Sequence, residues 1–170
     1  SARGMAVLQA PPGAGKTTRV PLALLPQITG RIVMLEPRRL AARAAAERMA
    51  ELAGEKVGGT IGYQTRMDSR TSAATRIIVM TEGIFVRQII ADPELSGVSA
   101  VLFDEVHERS LDSDFGLALA LEAQAAFRPD LRILPMSATL DGARFAAMLA
   151  DEDGIAAPVV ESMGVSHPLT

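Results

Sequence analysis

The sequence predicts an α/β fold, a mostly parallel sheet with helices on both faces, from three observations. Short apolar or β-branched runs alternate with helix-length segments, each run is bounded by Gly, Pro or charge, and no internal repeat or low-complexity stretch interrupts the alternation. Strand and helix alternating at this spacing call for parallel strands joined by right-handed crossovers, with ligands beyond the carboxyl ends of the strands. The strands are expected at Ala6–Gln9, Arg31–Leu35, Thr60–Gln64, Arg76–Met80, Ala100–Phe103 and Arg132–Met136. The helices are expected at Lys16–Leu25, stopped by Pro26, and at Leu40–Leu52, Gly83–Ile90, Ser113–Phe127 and Asp141–Leu149. Ser113 and Asp141 are the expected N-caps. Phe115, Leu117, Leu119, Leu121 and Phe127 of the fourth helix read as sheet-covering core rather than an interaction stripe.

With 170 residues, 48% of them hydrophobic, the chain fills one core and leaves no room for a second domain. The absence of cysteine excludes disulfides, thiol nucleophiles and thiolate metal sites, and His107 and His167 alone cannot build a zinc site. No apolar run approaches the roughly 20 residues that cross a bilayer, and the start lacks the layout of a signal peptide. A soluble, cytoplasmic protein without membrane partners is expected. The start at Ser1 and the finish at Thr170 both look cut, so a fragment of a longer protein is expected.

The net charge of −3 hides a split: residues 1–90 hold 13 Lys+Arg against 6 Asp+Glu, residues 91–170 hold 4 against 14. Of the basic residues only Lys16 and Lys56 are lysine. Arginine suits bidentate contact with phosphate, so a lysine marks a place where a compact point charge is needed.

One of those lysines lies in Ala10-Pro11-Pro12-Gly13-Ala14-Gly15-Lys16-Thr17, which follows a strand and opens a helix. That context is the test a phosphate-binding loop must pass, the alternative being a Gly/Pro-rich strand-to-helix turn that happens to contain lysine. Gly13 and Gly15 let backbone N–H groups turn inward, the helix start adds its dipole, Lys16 reaches the β- and γ-phosphates, and the Thr17 hydroxyl ligates Mg²⁺. Nucleotide-binding positions are Gly13, Ala14, Gly15, Lys16, Thr17 and Thr18. Ala10 stands where such loops usually begin with Gly, a departure expected to restrict the turn slightly.

A second run, Phe103-Asp104-Glu105-Val106-His107-Glu108-Arg109-Ser110, follows a strand and sets two carboxylates where the loop's ligand belongs. Asp104 suits the metal and the nucleotide. Glu105, beside the same metal, suits orienting and deprotonating a water. Ser137-Ala138-Thr139 comes directly after the last strand, where small hydroxyls bond to neighbouring loops; alone it also reads as an ordinary turn.

In this order the three runs resemble the first domain of superfamily 2 helicases of the DEAH/RHA group, with Val106 in place of the group's Ala. The resemblance extends to Glu36-Pro37-Arg38-Arg39-Leu40-Ala41-Ala42 and Met80-Thr81-Glu82-Gly83, and the wording of the first two runs is most similar to the bacterial HrpB branch. It implies a RecA-like P-loop NTPase domain that hydrolyses ATP with Mg²⁺ and couples this to movement along single-stranded nucleic acid, RNA above all. It also implies a second RecA-like domain supplying arginine fingers. Lys16, Glu105 and His107 would be catalytic, with His107, Ser137 and Thr139 linking hydrolysis to strand movement. Arg38, Arg39 and Thr81 would contact the sugar-phosphate backbone, contacts that ignore base sequence. Tyr63-Gln64-Thr65-Arg66 resembles the family's hook-like turn, with Arg66 on nucleic acid, although Tyr63 also fits a plain strand residue. Arg48 falls where the family stacks an arginine on the base and equally fits an exposed helix position. A nucleotide kinase and a nucleotide-gated binding module remain as alternative functions.

Overall fold

The structure, a computed structural model, describes residues 4–10, 15–108, 110–138, 146–147, 149–150, 154 and 157–161. Strands β1 (Val7–Gln9), β2 (Arg31–Glu36), β3 (Ile61–Gln64), β4 (Ser69–Arg70), β5 (Ile77–Thr81), β6 (Val98–Phe103), β7 (Arg132–Ser137) and β8 (Val159–Glu161) form one sheet in the order β4-β3-β5-β2-β6-β7-β1-β8. Every neighbouring pair is parallel except the β3/β4 hairpin at one edge.

Alternation along the central strands explains the layering, because successive side chains leave opposite faces of a strand. In β2, Val33 and Leu35 join one core cluster and Ile32 and Met34 the other; in β6, Val101 and Phe103 oppose Ala100 and Leu102. Helices α1 (Lys16–Leu24) and α2 (Arg39–Leu52) cover the second cluster, while α3 (Glu82–Ala91) and α4 (Leu111–Ala126) cover the first. Gly116 lets α3 and α4 close up, since a Cβ there would meet the Phe85 ring at 3.3 Å.

The expected strands and first four helices are present with ends shifted by a few residues, and β4 and β8 are added. Two residues are too few to carry a period, and β8 is exposed throughout, so neither left a hydrophobic signal. The α4 cap is Ser110, not Ser113: the Ser110 side chain accepts the Ser113 N–H, and Ser113 is buried in the first turn. Phe115 (46% exposed) and Phe127 (54%) are not core as expected, since the face of α4 turned to the sheet is Gly116, Leu117, Ala120, Ala123 and Gln124. Ala10 itself is not in a positive-φ conformation, because among the described residues only Leu95 and Glu105 are non-glycines with positive φ; residues 11–14 of its turn lie outside the described residues. Of the expected fifth helix, Ala146 and Ala147 are helical; Asp141 lies outside the described residues.

Candidate functional site

Because β1, β2, β5, β6 and β7 are parallel, all the motif-bearing loops leave the sheet at one end, beyond the carboxyl termini of these strands. β1 pairs with β7 (Gln9 beside Ser137), and the Ala10 N–H donates to the Ser137 carbonyl at 3.0 Å, which ties the phosphate loop to the Ser-Ala-Thr run. β6 lies between β2 and β7, and the Asp104 N–H donates to the Leu35 carbonyl at 3.0 Å. Gly15 caps α1 at φ 78°, a left-handed backbone that suits glycine, and Lys16 and Thr17 follow as the first helical residues. Gly13, Ala14 and Thr139 lie outside the described residues.

Lys16 and Thr17 point at the two carboxylates. The Thr17 hydroxyl donates to Asp104 Oδ2 at 2.8 Å, and Lys16 Nζ lies 3.1 Å from Glu105 Oε1. Lys16 is 7% exposed and Asp104 only 1%, so both side chains are withdrawn from water. Glu105 has φ 56°, a strained conformation for a side chain of its size, held while the preceding Asp104 accepts its N–H at 3.0 Å. The reversal turns Glu105 toward both Lys16 and His107. His107 Nε2 lies 3.0 Å from Glu105 Oε2, and His107 Nδ1 accepts the Ala138 backbone N–H at 3.3 Å, with Ser137 Oγ 3.5 Å away. One chain of polar contacts therefore runs from Lys16 through Glu105 and His107 to Ser137 and Ala138. Thr18 continues α1, its N–H on the Gly15 carbonyl at 3.3 Å.

Sequence reasoning missed a third carboxyl. Glu36, at the end of β2, is 2% exposed, and its Oε1 has no hydrogen-bond partner among the described residues. Burial first, then hydrogen bonding to Asp104 and the charges of Asp104 and Glu105, push it up to about 10, with Lys16 opposing. Its place just before Pro37 and the arginine pair was visible; its packing behind Asp104 required knowing that β2 and β6 are neighbours. The Thr17–Asp104 pair, oxygen donors with an unpartnered buried oxygen behind them, fits a hard cation such as Mg²⁺.

Of the other predicted residues, Arg39, Arg66 and Thr81 gather at a groove of about 500 Å³ whose lining also includes Glu82, Arg87 and Asp112. Arg87 was not singled out from sequence. Arg38 is 67% exposed and pairs with Glu108 (Nη1 to Oε2, 3.1 Å). Tyr63 is a buried strand residue, 1% exposed, whose hydroxyl donates to Asp68 and whose ring lies 5.9 Å beneath the Arg43 guanidinium. This hydrogen bond draws the Asp68 carboxyl below the ordinary range and raises the Tyr63 phenol. Arg48 sits exposed on α2 in an ion pair with Glu51 at 3.1 Å. Ser110, besides capping α4, donates to Glu82 Oε2 at 2.6 Å and so joins the loop after β6 to the start of α3. Burial raises the Glu82 carboxyl. Among the described residues no helix is long and apolar enough to cross a membrane.

Comparison with known proteins finds the DEAD/DEAH box helicase family matching residues 2–147. The chain is 53% identical to the ATP-dependent RNA helicase HrpB of Escherichia coli over 96% of its own length and 20% of that protein's. It is 35% identical to the DExH-box ATP-dependent RNA helicase DExH1 of Arabidopsis thaliana over 92% of its length and 16% of that protein's. The crystal structure of the E. coli DExH-box NTPase HrpB matches it with a TM-score of 0.88 at 52% identity, over 98% of this chain and 20% of that one. The chain thus spans about a fifth of the length of HrpB.

Proposed function

Because the chain belongs to the DEAD/DEAH box helicase family, we propose that it is the ATP-binding first motor domain of an ATP-dependent RNA helicase, working in the cytoplasm with a second RecA-like domain. The observation that carries this reading is the contact chain from Lys16 through Glu105 and His107 to Ser137 and Ala138, with Thr17 on Asp104 beside it. A nucleotide kinase has no use for a carboxylate wired through a histidine to the Ser-Ala-Thr run.

Lys16 holds the terminal phosphates of ATP as a point charge, and the start of α1 presents its N–H groups to them. Thr17 and Asp104, with Glu105 beside them, hold Mg²⁺, which when bound offsets charge on the phosphates. Glu105 orients the attacking water and accepts its proton. The Lys16 ammonium on its other oxygen and His107 fix the carboxylate's orientation. His107 reports the state of this site to the Ser137–Thr139 loop. Arg38, Arg39, Arg66 and Thr81 take the backbone phosphates of a single strand, and Arg48 meets the base of the nucleotide. The adverse net charge of −3 is no obstacle, since three arginines of the basic half, Arg39, Arg66 and Arg87, line the groove against the carboxylates Glu82 and Asp112.

Substituting Glu105→Gln in the full-length protein tests the reading. ATP binding should persist while strand-stimulated hydrolysis and unwinding are lost together. Retained unwinding would exclude a motor driven from this site, and loss of nucleotide binding would make Glu105 a structural residue.

A further inference from the structure

Arg38 leaves the end of β2 on the side where the proposed strand lies, yet its guanidinium is engaged within the protein. Nη1 donates to Glu108 Oε2 at 3.1 Å and Nη2 to Glu108 Oε1 at 3.5 Å, the paired fork that a guanidinium also offers to a phosphate. The end of the fork is thus occupied, and the Glu108 charge stands where a phosphate's would. Arg39 and Arg66 line the neighbouring groove. Glu108 closes the short 3₁₀ turn Val106–Glu108, and Glu105, His107 and Glu108 bring ligand atoms within 4.8 Å of one another. The partner of Arg38 therefore belongs to the segment that carries the hydrolytic carboxylate.

We infer that Glu108 is a built-in stand-in for a nucleic-acid phosphate, which holds Arg38 in the strand-free protein and yields it to the backbone of an arriving strand. This rests on the strand-binding reading of Arg38 given above. The pair is placed to be displaced: Arg38 is 67% exposed and Glu108 35%, so water and salt screen it. An exposed pair of this kind biases its partner by no more than about fivefold. A lone phosphate or free nucleotide meets that bias with a single contact and gains little. A continuous strand also engages Arg39, Arg66 and Thr81, and the summed contacts exceed the bias. Glu108 thereby favours polymeric over monomeric anions, and its release frees the turn that holds His107.

The test is the affinity of the full-length protein for a fluorescently labelled oligouridylate, measured by anisotropy without nucleotide, for the wild type, Glu108→Gln, Arg38→Ala and the double variant. Glu108→Gln keeps the size of an exposed side chain and leaves the fold alone. It should bind the strand about two- to fivefold more tightly than the wild type, and this gain should vanish in the Arg38→Ala background. Unchanged or weaker binding by Glu108→Gln overturns the inference, because the carboxylate would then be idle or a support that positions Arg38 for phosphate. An equal gain in both backgrounds also overturns it, as the effect of removing any negative charge near a polyanion. If the wild type binds no strand at all, the strand-binding reading falls and takes this inference with it; in the other outcomes that reading stands.

Discussion

His107 Nε2 lies 3.0 Å from Glu105 Oε2, and it is the donor in that contact because His107 Nδ1 already accepts the Ala138 N–H at 3.3 Å. The backbone of one motif thereby sets the ring tautomer that faces the carboxylate of another. Movement of the β7 loop must alter how Glu105 is held. The expected result for His107→Ala is a hydrolysis rate lower by about tenfold or more, the range for losing a hydrogen bond to a charged group. Nucleotide affinity should stay within about twofold, because Lys16 and Thr17 are untouched. Steady-state kinetics with a fluorescent-nucleotide titration separates the two; equal losses in both would show that His107 supports binding instead.

Glu36 predicts a pH signature. Its carboxyl is raised from 4.5 to about 10, chiefly by burial. Between those values the folded chain keeps a proton that the unfolded chain has released, so folding takes up a proton and this group's contribution to stability falls as pH rises through the window. Glu36→Gln retains a neutral donor beside Asp104 and removes the dependence. Melting curves should show the variant gaining on the wild type steadily from about pH 5 to about pH 8.5. Parallel curves across that range would mean that Glu36 is ionised in the folded protein.

Ser110 is asked to do two things with one hydroxyl, accepting from Ser113 N at 3.0 Å and donating to Glu82 at 2.6 Å. Ser110→Ala loses the cap, worth about 1 kcal/mol, and leaves the Glu82 carboxyl short of a partner at a similar cost. A total near 2 kcal/mol lowers the melting temperature of a domain this size by roughly 4–8 °C. Ser110→Thr should recover most of it, and a drop below about 2 °C for Ser110→Ala would mean water replaces the hydroxyl at both partners.

The chain alone should bind nucleotide weakly, hydrolyse it poorly and unwind nothing, because none of its described arginines contacts the Lys16–Glu105–His107 network to offset charge developing on the phosphates. Robust multi-turnover phosphate release by this chain would show that no second domain is needed.

The elements that bury apolar surface on both sides were legible in the sequence, since β2, β6 and β7 read as continuous apolar runs and α2 and α3 as periodic ones. Elements without that signal escaped: the two-residue β4, the exposed β8 and the true cap of α4. The meeting of Lys16 with Glu105 and of Thr17 with Asp104 was legible because both pairs sit directly beyond strand ends, where local spacing places them. Glu36 and Glu108 were not, because each meets a partner distant in sequence, Asp104 and Arg38, and Arg87 was not, because only the folded chain brings it to the groove of Arg39 and Arg66.

By itself the sequence determined which side chains exist at the ends of which strands, and hence the phosphate loop, the paired carboxylates and the family. Only the tertiary structure decided who faces whom. The order β2-β6-β7-β1 sets Glu36 behind Asp104, Glu105 against Lys16 and His107 under Ala138. The reason is physical: strand order and register are set by how two apolar faces are buried at once, a property of the whole sheet that no local stretch of residues contains.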